Sequence, residues 1–438
     1  MKLTIPLGAK MIEAELDLPD ENILIAQSPI QQPQTGNWED LAVEALRRPI
    51  EARRLSEHNF ALKKVTIIVD DKTRSTPAYR LIPAVLEELK HTSVSDSDIT
   101  FVAACGEHEG MNEDEMKAKF GGEIVSKYRT IYHDAFDVEG LVFCGFSQLA
   151  NPIWVNRAVA EADFVIAVGR IALHYNFGYA GGAKMIVPGV VGAETITYNH
   201  AMFCAPNSGV GHLGDHPARQ DAEDIAEIVG LDFILNILTN RRGEPIKGFA
   251  GDYIAAHRAG VAYGDRHIWG CEVGAPADIT IASPGKNERG WSAFNSIALH
   301  QASLGTKVGG TLILLTNGQE PSAEDRPSTD PFQQMLDELS FEELILEYER
   351  RNWDLSRRAF HMRRRSLWSE HHARRPFFDH HVMLVGGKVS PRILKRYNAT
   401  NTISLNDAID EAIERHGKNA RALVMPEAVS TLPLEKFH

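Results

Sequence analysis

Cysteine is scarce: Cys105, Cys144, Cys204 and Cys271 stand far apart in a chain of 438 residues and form no CxxC pair. That spacing excludes a disulfide scaffold and a thiolate metal knuckle, and it suits a reducing, cytoplasmic compartment. Long apolar runs are missing as well. The most apolar stretch in the middle, FVIAVGRIALH, is interrupted by Arg170 and is too short for a bilayer. The N-terminal MKLTIPLGAKMIEAELDLP alternates polar and apolar residues, which predicts a strand pair and not a signal peptide. No membrane is expected as a partner. Positive charge is in deficit, with a formal net charge of -13 and a pI near 5.8. Such a chain repels polyphosphate backbones, so nucleic acid is not expected either. Its one Arg-rich run, RRNWDLSRRAFHMRRR, follows the acidic FEELILEYER, a pattern that predicts a solvated, mixed-charge helix. Repeats and low-complexity tracts are absent.

What is present is the composition of a folded protein, 43% hydrophobic and 24% charged. The length exceeds what one core usually serves, which predicts two domains. Short β-branched runs alternate with helical patterns: VTIIVDD, YRLIPAVLEELKHT, ITFVAACG and DFVIAVGR in the first half, then ADITIAS, GTLILLTNG, HHVMLVGG and ARALVMPEA. The expected fold is α/β, two α/β domains with largely parallel sheets and the active site in the cleft between them. The boundary is placed at GAPAD, giving a cofactor-binding and catalytic domain over residues 1–274 and a second α/β domain over 275–438 that completes the substrate pocket.

Polar clusters occur where strands of the first half run out. VDDKTRSTP crowds Asp70, Asp71, Thr73, Arg74, Ser75 and Thr76 into one turn before Pro77 opens a helix, whose free N–H groups suit a phosphate or carboxylate. A capped helix with a local Asp–Arg pair is the structural alternative. AACGEHEGM places His108 in the loop after a strand, and His174 follows another strand. Two histidines leaving neighbouring strands toward one edge point to acid–base work more strongly than either alone. GYAGGAK supplies Gly181, Gly182 and Lys184, but lacks the Ser or Thr of a phosphate loop, which argues against a nucleoside triphosphatase. A lysine in a glycine-lined apolar pocket is desolvated and becomes a nucleophile for Schiff-base or acyl chemistry. His200 suits a borderline metal as a neutral imidazole ligand. Helix capping by Lys184 and simple packing of His200 are the structural alternatives.

These residues carry a resemblance. DDKTRSTP, GEH, HYNFGYAGGAKMIVPG and YNHA, with weaker support from NPIWVNR and VMPEAVSTLP, make the sequence resemble the nickel-dependent lactate racemase family of 2-hydroxyacid racemases and epimerases over nearly its whole length. The resemblance implies a nickel-pincer nucleotide, a Ni(II) pyridinium-3-thioamide-5-thiocarboxylate mononucleotide attached at Lys184, with His200 as the protein ligand to nickel. It implies His108 and His174 as paired acid/bases, Arg74 on the developing oxyanion or the carboxylate, and Asp71 orienting Arg74 or a histidine. It also implies the cofactor's biosynthetic enzymes as partners and a small 2-hydroxy acid as substrate. Two rival readings stay open: a Schiff-base lysine enzyme acting on keto acids, and a non-catalytic relative that binds a nucleotide or metal.

The sequence departs from the family in places. Where lactate enzymes hold the carboxylate with Tyr-Gln and a lysine, GWSAFNSIALH places Phe294, Asn295 and Ala298. A shorter amide and a methyl leave room and remove a charge, so a substrate bulkier than lactate is expected on Asn295 and Trp368, with Lys286 or Arg289 as candidate replacement cations. Glu109 after His108 disfavours a diacid. His371, His372, His380 and His381 sit as adjacent pairs whose side chains diverge, which predicts structural or surface roles and no metal cluster.

Overall fold

A computed structural model describes residues 1–27, 33–240, 242–285, 297–316, 357–386 and 398–435, with isolated positions between these stretches. It divides into two units, one of residues 32–264 with 355–365, the other of residues 1–31 with 265–354 and 366–438. The break thus falls after residue 264, ahead of the expected 274, and the first 31 residues join the second unit. The cause is the apolar face of the predicted N-terminal strand pair. Strands β1 (Lys2–Leu7) and β2 (Lys10–Glu15) form an antiparallel hairpin. Leu3, Ile5 and Leu7 are buried in one core with Ile279, Ile281 and Val424. β3 (Ile23–Ile25) then adds a parallel edge strand beside Ala422–Val424.

The unit 32–264 contains α1 (Trp38–Arg47), β4 (Val65–Asp70), α2 (Ala78–Leu89), β5 (Ile99–Ala104), α3 (Glu113–Phe120), α4 (Gly122–Lys127) and β6 (Arg129–Tyr132). A hairpin of β7 (Leu141–Phe146) and β8 (Pro152–Asn156) comes next, then α5 (Arg157–Ala160), β9 (Phe164–Ile171) and the two-residue strands β10 (Leu173–His174) and β11 (Gly178–Tyr179). The unit ends with α6 (Ala193–Ala201), α7 (Pro217–Val229), β12 (Leu231–Thr239), β13 (Pro245–Gly251) and α8 (Ala255–Gly264). Its main sheet has the order β13-β12-β9-β4-β5-β6, parallel except for β13. All six residues of β4 are buried, as a continuous apolar run covered on both faces requires. Val65, Ile67 and Val69 pack with Leu81, Ile82 and Val85 of α2, while Ile68 packs with Val102, Ala167 and Ile225 in the opposite core. Pro217 opens α7, and Gly230 ends it in the left-handed conformation.

From β4 the chain builds outward through β5 and β6, then returns to place β9 and β12 on the other side of β4. Strand order therefore reverses between β4 and β9. In an open parallel sheet the crevice beyond the carboxyl ends at such a reversal is where ligands bind.

The second unit adds β14 (Gly270–Glu272), β15 (Ala277–Ala282), α9 (Ile297–Leu304), β16 (Thr306–Leu315) and β17 (His381–Val385); of α10 (Arg357–Asp379), which precedes β17, residues 366–379 belong to this unit and 357–365 to the first. β18 (Thr400–Thr402), α11 (Leu405–His416), β19 (Ala422–Met425) and β20 (Leu432–Leu434) complete it. The sheet order is β18-β17-β16-β15-β19-β3, parallel throughout. Residues 357–365 of the Arg-rich run open helix α10, and the run's first seven residues lie outside the described ones; beyond the run, Leu367, His372, Arg374 and Phe377 are buried on the same helix. Most of its acidic lead-in lies outside the described residues. Among those residues no helix is long and apolar enough to cross a membrane.

Candidate functional site

A pocket opens at the strand-order reversal. Asp70, Asp71 and Arg74 line it from the turn after β4, Gly106 and His108 from the loop after β5, and Arg170, His174, Gly181 and Lys184 from β9 and the segment beyond it. Met185, Pro188, Ala172 and Leu173 supply apolar wall. The two histidines do not leave neighbouring strands as expected, because β4 lies between β5 and β9. They instead flank the turn that carries Asp71 and Arg74.

That turn is held from below. Lys119 on α3, 6% exposed, sets its ammonium 2.5 Å from Asp70 Oδ1 and donates to the carbonyls of Arg74 and Thr76 at 3.0 Å each. Thr76 Oγ1 donates to Asp70 Oδ2 at 2.5 Å. Burial pushes the Asp70 carboxyl up, and the Lys119 charge opposes the shift. Thr73 N–H donates to Asp71 Oδ1 at 3.1 Å and Arg74 N–H to Asp71 O at 3.1 Å. These two N–H groups are engaged within the turn.

His108 Nδ1 is 2.6 Å from Asp71 Oδ2. Burial acts to raise the Asp71 carboxyl, but hydrogen bonds from His108 and Thr73 outweigh it and hold it below the usual carboxylate range. An ionised carboxylate accepts only, so Nδ1 of His108 carries the proton and Nε2 presents a lone pair. Asp71 thus orients the histidine, one of the two expected options, and makes no ion pair with Arg74 among the described residues. Glu109 is not among the pocket's lining residues: its side chain is 89% exposed and lies 3.8 Å from Lys72.

His174 is held in the opposite way. Backbone N–H groups of Asn176 and Phe177 donate to its Nδ1 at 3.3 and 3.2 Å. In the neutral ring Nε2 then carries the hydrogen. Burial, then the charges of Lys184 and Arg74, hold His174 well below its ordinary value, so it is neutral. Lys184 sits in a single turn, Gly182–Met185, with its ammonium 5.5 Å from the centre of the Phe177 ring. Burial, followed by the Arg74 and Arg219 charges, lowers its pKa to about 7.

Gly181 and Gly182 have structural reasons of their own. Gly181 has φ +84°, and a Cβ there would meet Asn236 Oδ1 at 2.6 Å and the Arg170 carbonyl oxygen at 2.9 Å. A Cβ on Gly182 would press the His257 ring at 3.0 Å. The glycines seat the Lys184 loop on β9 and β12, and Asn236 Oδ1 accepts from Gly182 N–H at 2.9 Å.

His200, on α6, is not among the side chains lining the pocket but is joined to it through Phe177. That ring's centre lies 5.7 Å from His200 and 6.1 Å from His174. Asn199 Nδ2 donates to Ala218 O and Asp221 Oδ2 at 2.8 Å each, which turns its Oδ1 toward His200 Nδ1, 3.3 Å away. The proton is thereby placed on Nδ1 and the lone pair on Nε2. Buried Asp221 also accepts from Ser147 at 2.6 Å and Asn151 at 2.9 Å. Lys119, Arg170, Asn199 and Asp221 were not identified from sequence. Only Asn199 carried a local signal, as the neighbour of His200 in YNHA.

The other expectations fall in the second unit. Asn295, Phe294, Lys286 and Arg289 lie outside the described residues. Ala298 is fully buried in the core with Leu299 and Leu314, so its methyl fills the interior. Trp368 is half-buried on α10 in the second unit. His372 stacks on His300 with centroids 4.9 Å apart, His380 Nδ1 donates to Lys307 O at 3.1 Å, and His381 Nε2 is 3.4 Å from Glu411. Among the described residues no group of three His, Cys, Asp or Glu is arranged to hold a metal. The four cysteines are free thiols.

Residues 8–211 match the family model described as the lactate racemase N-terminal domain. The lactate racemase of Thermoanaerobacterium thermosaccharolyticum is 27% identical over 447 residues, covering 99% of each chain. That of Lactiplantibacillus plantarum is 25% identical over 439 residues, covering 98% of this chain and 99% of the relative. The lactate racemase apoprotein structure from T. thermosaccharolyticum superposes with a TM-score of 0.74 at 25% identity, over 99% of this chain and 100% of that one. Residues 8–211 are a lactate racemase N-terminal domain, and the chain is similar to lactate racemases over nearly its whole length. A Thermotoga maritima protein, 15% identical with a TM-score of 0.55 over 92% of this chain, shares the fold. In lactate racemase family terms, the matched N-terminal region contains the whole turn after β4, both histidines of the pocket, Lys184 and His200.

Proposed function

We propose that this chain interconverts the enantiomers of a 2-hydroxy acid, with a nickel-pincer nucleotide held at Lys184 and His200 as the protein ligand to nickel. The residues present fit that group. Lys184 is half-buried, has no carboxylate partner among the described residues, and at a pKa of about 7 is substantially a free amine near neutrality, as covalent attachment needs. His200 has the tautomer in which Nε2 can bind a borderline metal, steadied by Asn199. When bound, the group accepts the C2 hydride of the substrate and returns it.

The observation that carries the proposal is two histidines on one pocket with opposite proton arrangements. His108 Nε2 takes the hydroxyl proton of the substrate, and Asp71 stabilises the imidazolium that forms. His174 Nε2–H donates to the oxygen of the keto acid and polarises it while remaining neutral. Arg74 faces the same space and offsets the negative charge that develops on oxygen. After the hydride returns to the other face of the keto acid, the His108 imidazolium gives its proton back to the new alkoxide oxygen while His174 Nε2–H still donates to that oxygen, and the same steps run in reverse from the opposite enantiomer. On the departure of GWSAFNSIALH from the carboxylate-binding residues of the lactate enzymes, a substrate bulkier than lactate is proposed.

The test is racemisation of 2-deuterated 2-hydroxy acids, lactate and bulkier ones, by chain produced with the cofactor's biosynthetic enzymes. Inversion with deuterium kept at C2 is expected from hydride transfer. Inversion with washout of deuterium, or trapping of Lys184 by borohydride with a keto acid, replaces this reading with the Schiff-base one.

A further inference from the structure

We propose that Arg170, with the Ser75 hydroxyl, forms an oxyanion-binding subsite at the strand-order reversal, taking a phosphate monoester or a carboxylate. This deepens the racemase reading and rests on it for the identity of the ligand. The first support is topological. Arg170 lies near the carboxyl end of β9, and Ser75 lies in the turn after β4, so the two face each other across the crevice where the strand order reverses. They already touch, since an Arg170 terminal nitrogen donates to Ser75 Oγ at 3.0 Å.

The second support is the charge left over in the pocket. Asp70 is engaged at both oxygens, by Lys119 at 2.5 Å and Thr76 at 2.5 Å. Asp71 is engaged at both of its own, by His108 at 2.6 Å and Thr73 at 2.6 Å. Arg74 and Arg170 line the same pocket, and among the described residues neither has an ion-pair partner. A guanidinium fork that is half-buried beside other cations is disfavoured unless an anion completes it. A planar, always charged group with parallel N–H bonds matches the oxygens of a phosphate or carboxylate. Lys119 matters here because it occupies the one carboxylate, Asp70, whose charge reaches Arg170.

The phosphate of a mononucleotide and the carboxylate of a hydroxy acid share this chemistry, and titration separates them. Full-length chain without nickel is titrated calorimetrically with inorganic phosphate and, separately, with lactate. Arg170→Met is expected to weaken one of the two by about tenfold to a hundredfold. Loss of phosphate binding alone assigns the nucleotide phosphate, and loss of lactate binding alone assigns the substrate carboxylate. Ser75→Ala, a change that leaves the fold's core untouched, is expected to weaken the same probe by about threefold. Arg80→Met removes an equal charge outside the pocket, where Arg80 pairs with Glu39 at 2.6 Å, and is expected to change nothing. The proposal is overturned if wild-type chain binds neither probe, or if Arg170→Met and Ser75→Ala bind both as wild type does. Because no step uses nickel, a failed racemisation assay leaves the subsite standing, and a failed titration leaves the racemase reading standing.

Discussion

On the β5 side of the pocket a carboxylate fixes the histidine; on the β9 side two backbone N–H groups do. His108 is 43% exposed, and its Nδ1 leans on ionised Asp71. His174 is surrounded by Lys184, Arg74 and Arg219, whose charges disfavour the charged ring. In the proposed reaction the same residue type therefore serves as a proton acceptor in one place and a neutral donor in the other. The difference comes from which ring nitrogen the scaffold engages.

The largest way to break the comparison is to remove its carboxylate. Asp71→Asn keeps the shape but no longer fixes the tautomer or balances the imidazolium, and kcat is expected to fall on the order of 10²- to 10⁴-fold, as for His108→Gln. Steady-state kinetics with nickel content held equal checks this. Asn199→Ala leaves both histidines of the pocket in place but frees His200, and nickel retention is expected to fall on the order of 10- to 100-fold, read by metal analysis after dialysis. Lys119→Met undercuts only the β4 turn. Buried Asp70 loses its cation, and the chain is expected to lose about 3–5 kcal/mol in denaturant unfolding.

The sequence made the site's membership legible far better than its wiring. His108, His174, Asp71, Arg74 and Lys184 are marked by their position at strand ends beside glycine and proline, and the pocket gathers all five. Arg170 registered only as a break in an apolar run, because its partner Ser75 is 95 residues away. Asp221 and Lys119 gave no local sign, since a buried charge on an amphipathic helix looks like a solvated one until the packing is known. In the fold, the alternating face of β1 and β2 predicted a hairpin correctly. Nothing local could say that this face is covered by strands beginning at residue 277.

A smaller effect sharpens the β9 side. Lys184 titrates near 7 in the folded chain against 10.5 for an ordinary lysine. Its acylation, followed residue by residue in intact chain, is expected to rise between pH 6 and 8 and then level off. Between 7 and 10.5 the unfolded chain binds the extra proton, so this residue makes stability rise with pH over that window, and Lys184→Met removes the rise. The smallest effect concerns direction. Enantiomers have equal free energy, so kcat/KM must match in both directions. The unequal histidines are expected to surface as different pH profiles of kcat alone, measured from each enantiomer.

The central claim is that Lys184 carries the nucleotide. Intact-mass spectrometry of wild-type and Lys184→Ala chains, each produced alongside the cofactor's biosynthetic enzymes, tests it most directly. A mass increment is expected on the wild-type chain and is absent from the variant. Equal masses for the two folded chains, each as expected from its own sequence or each carrying the same adduct, would contradict it.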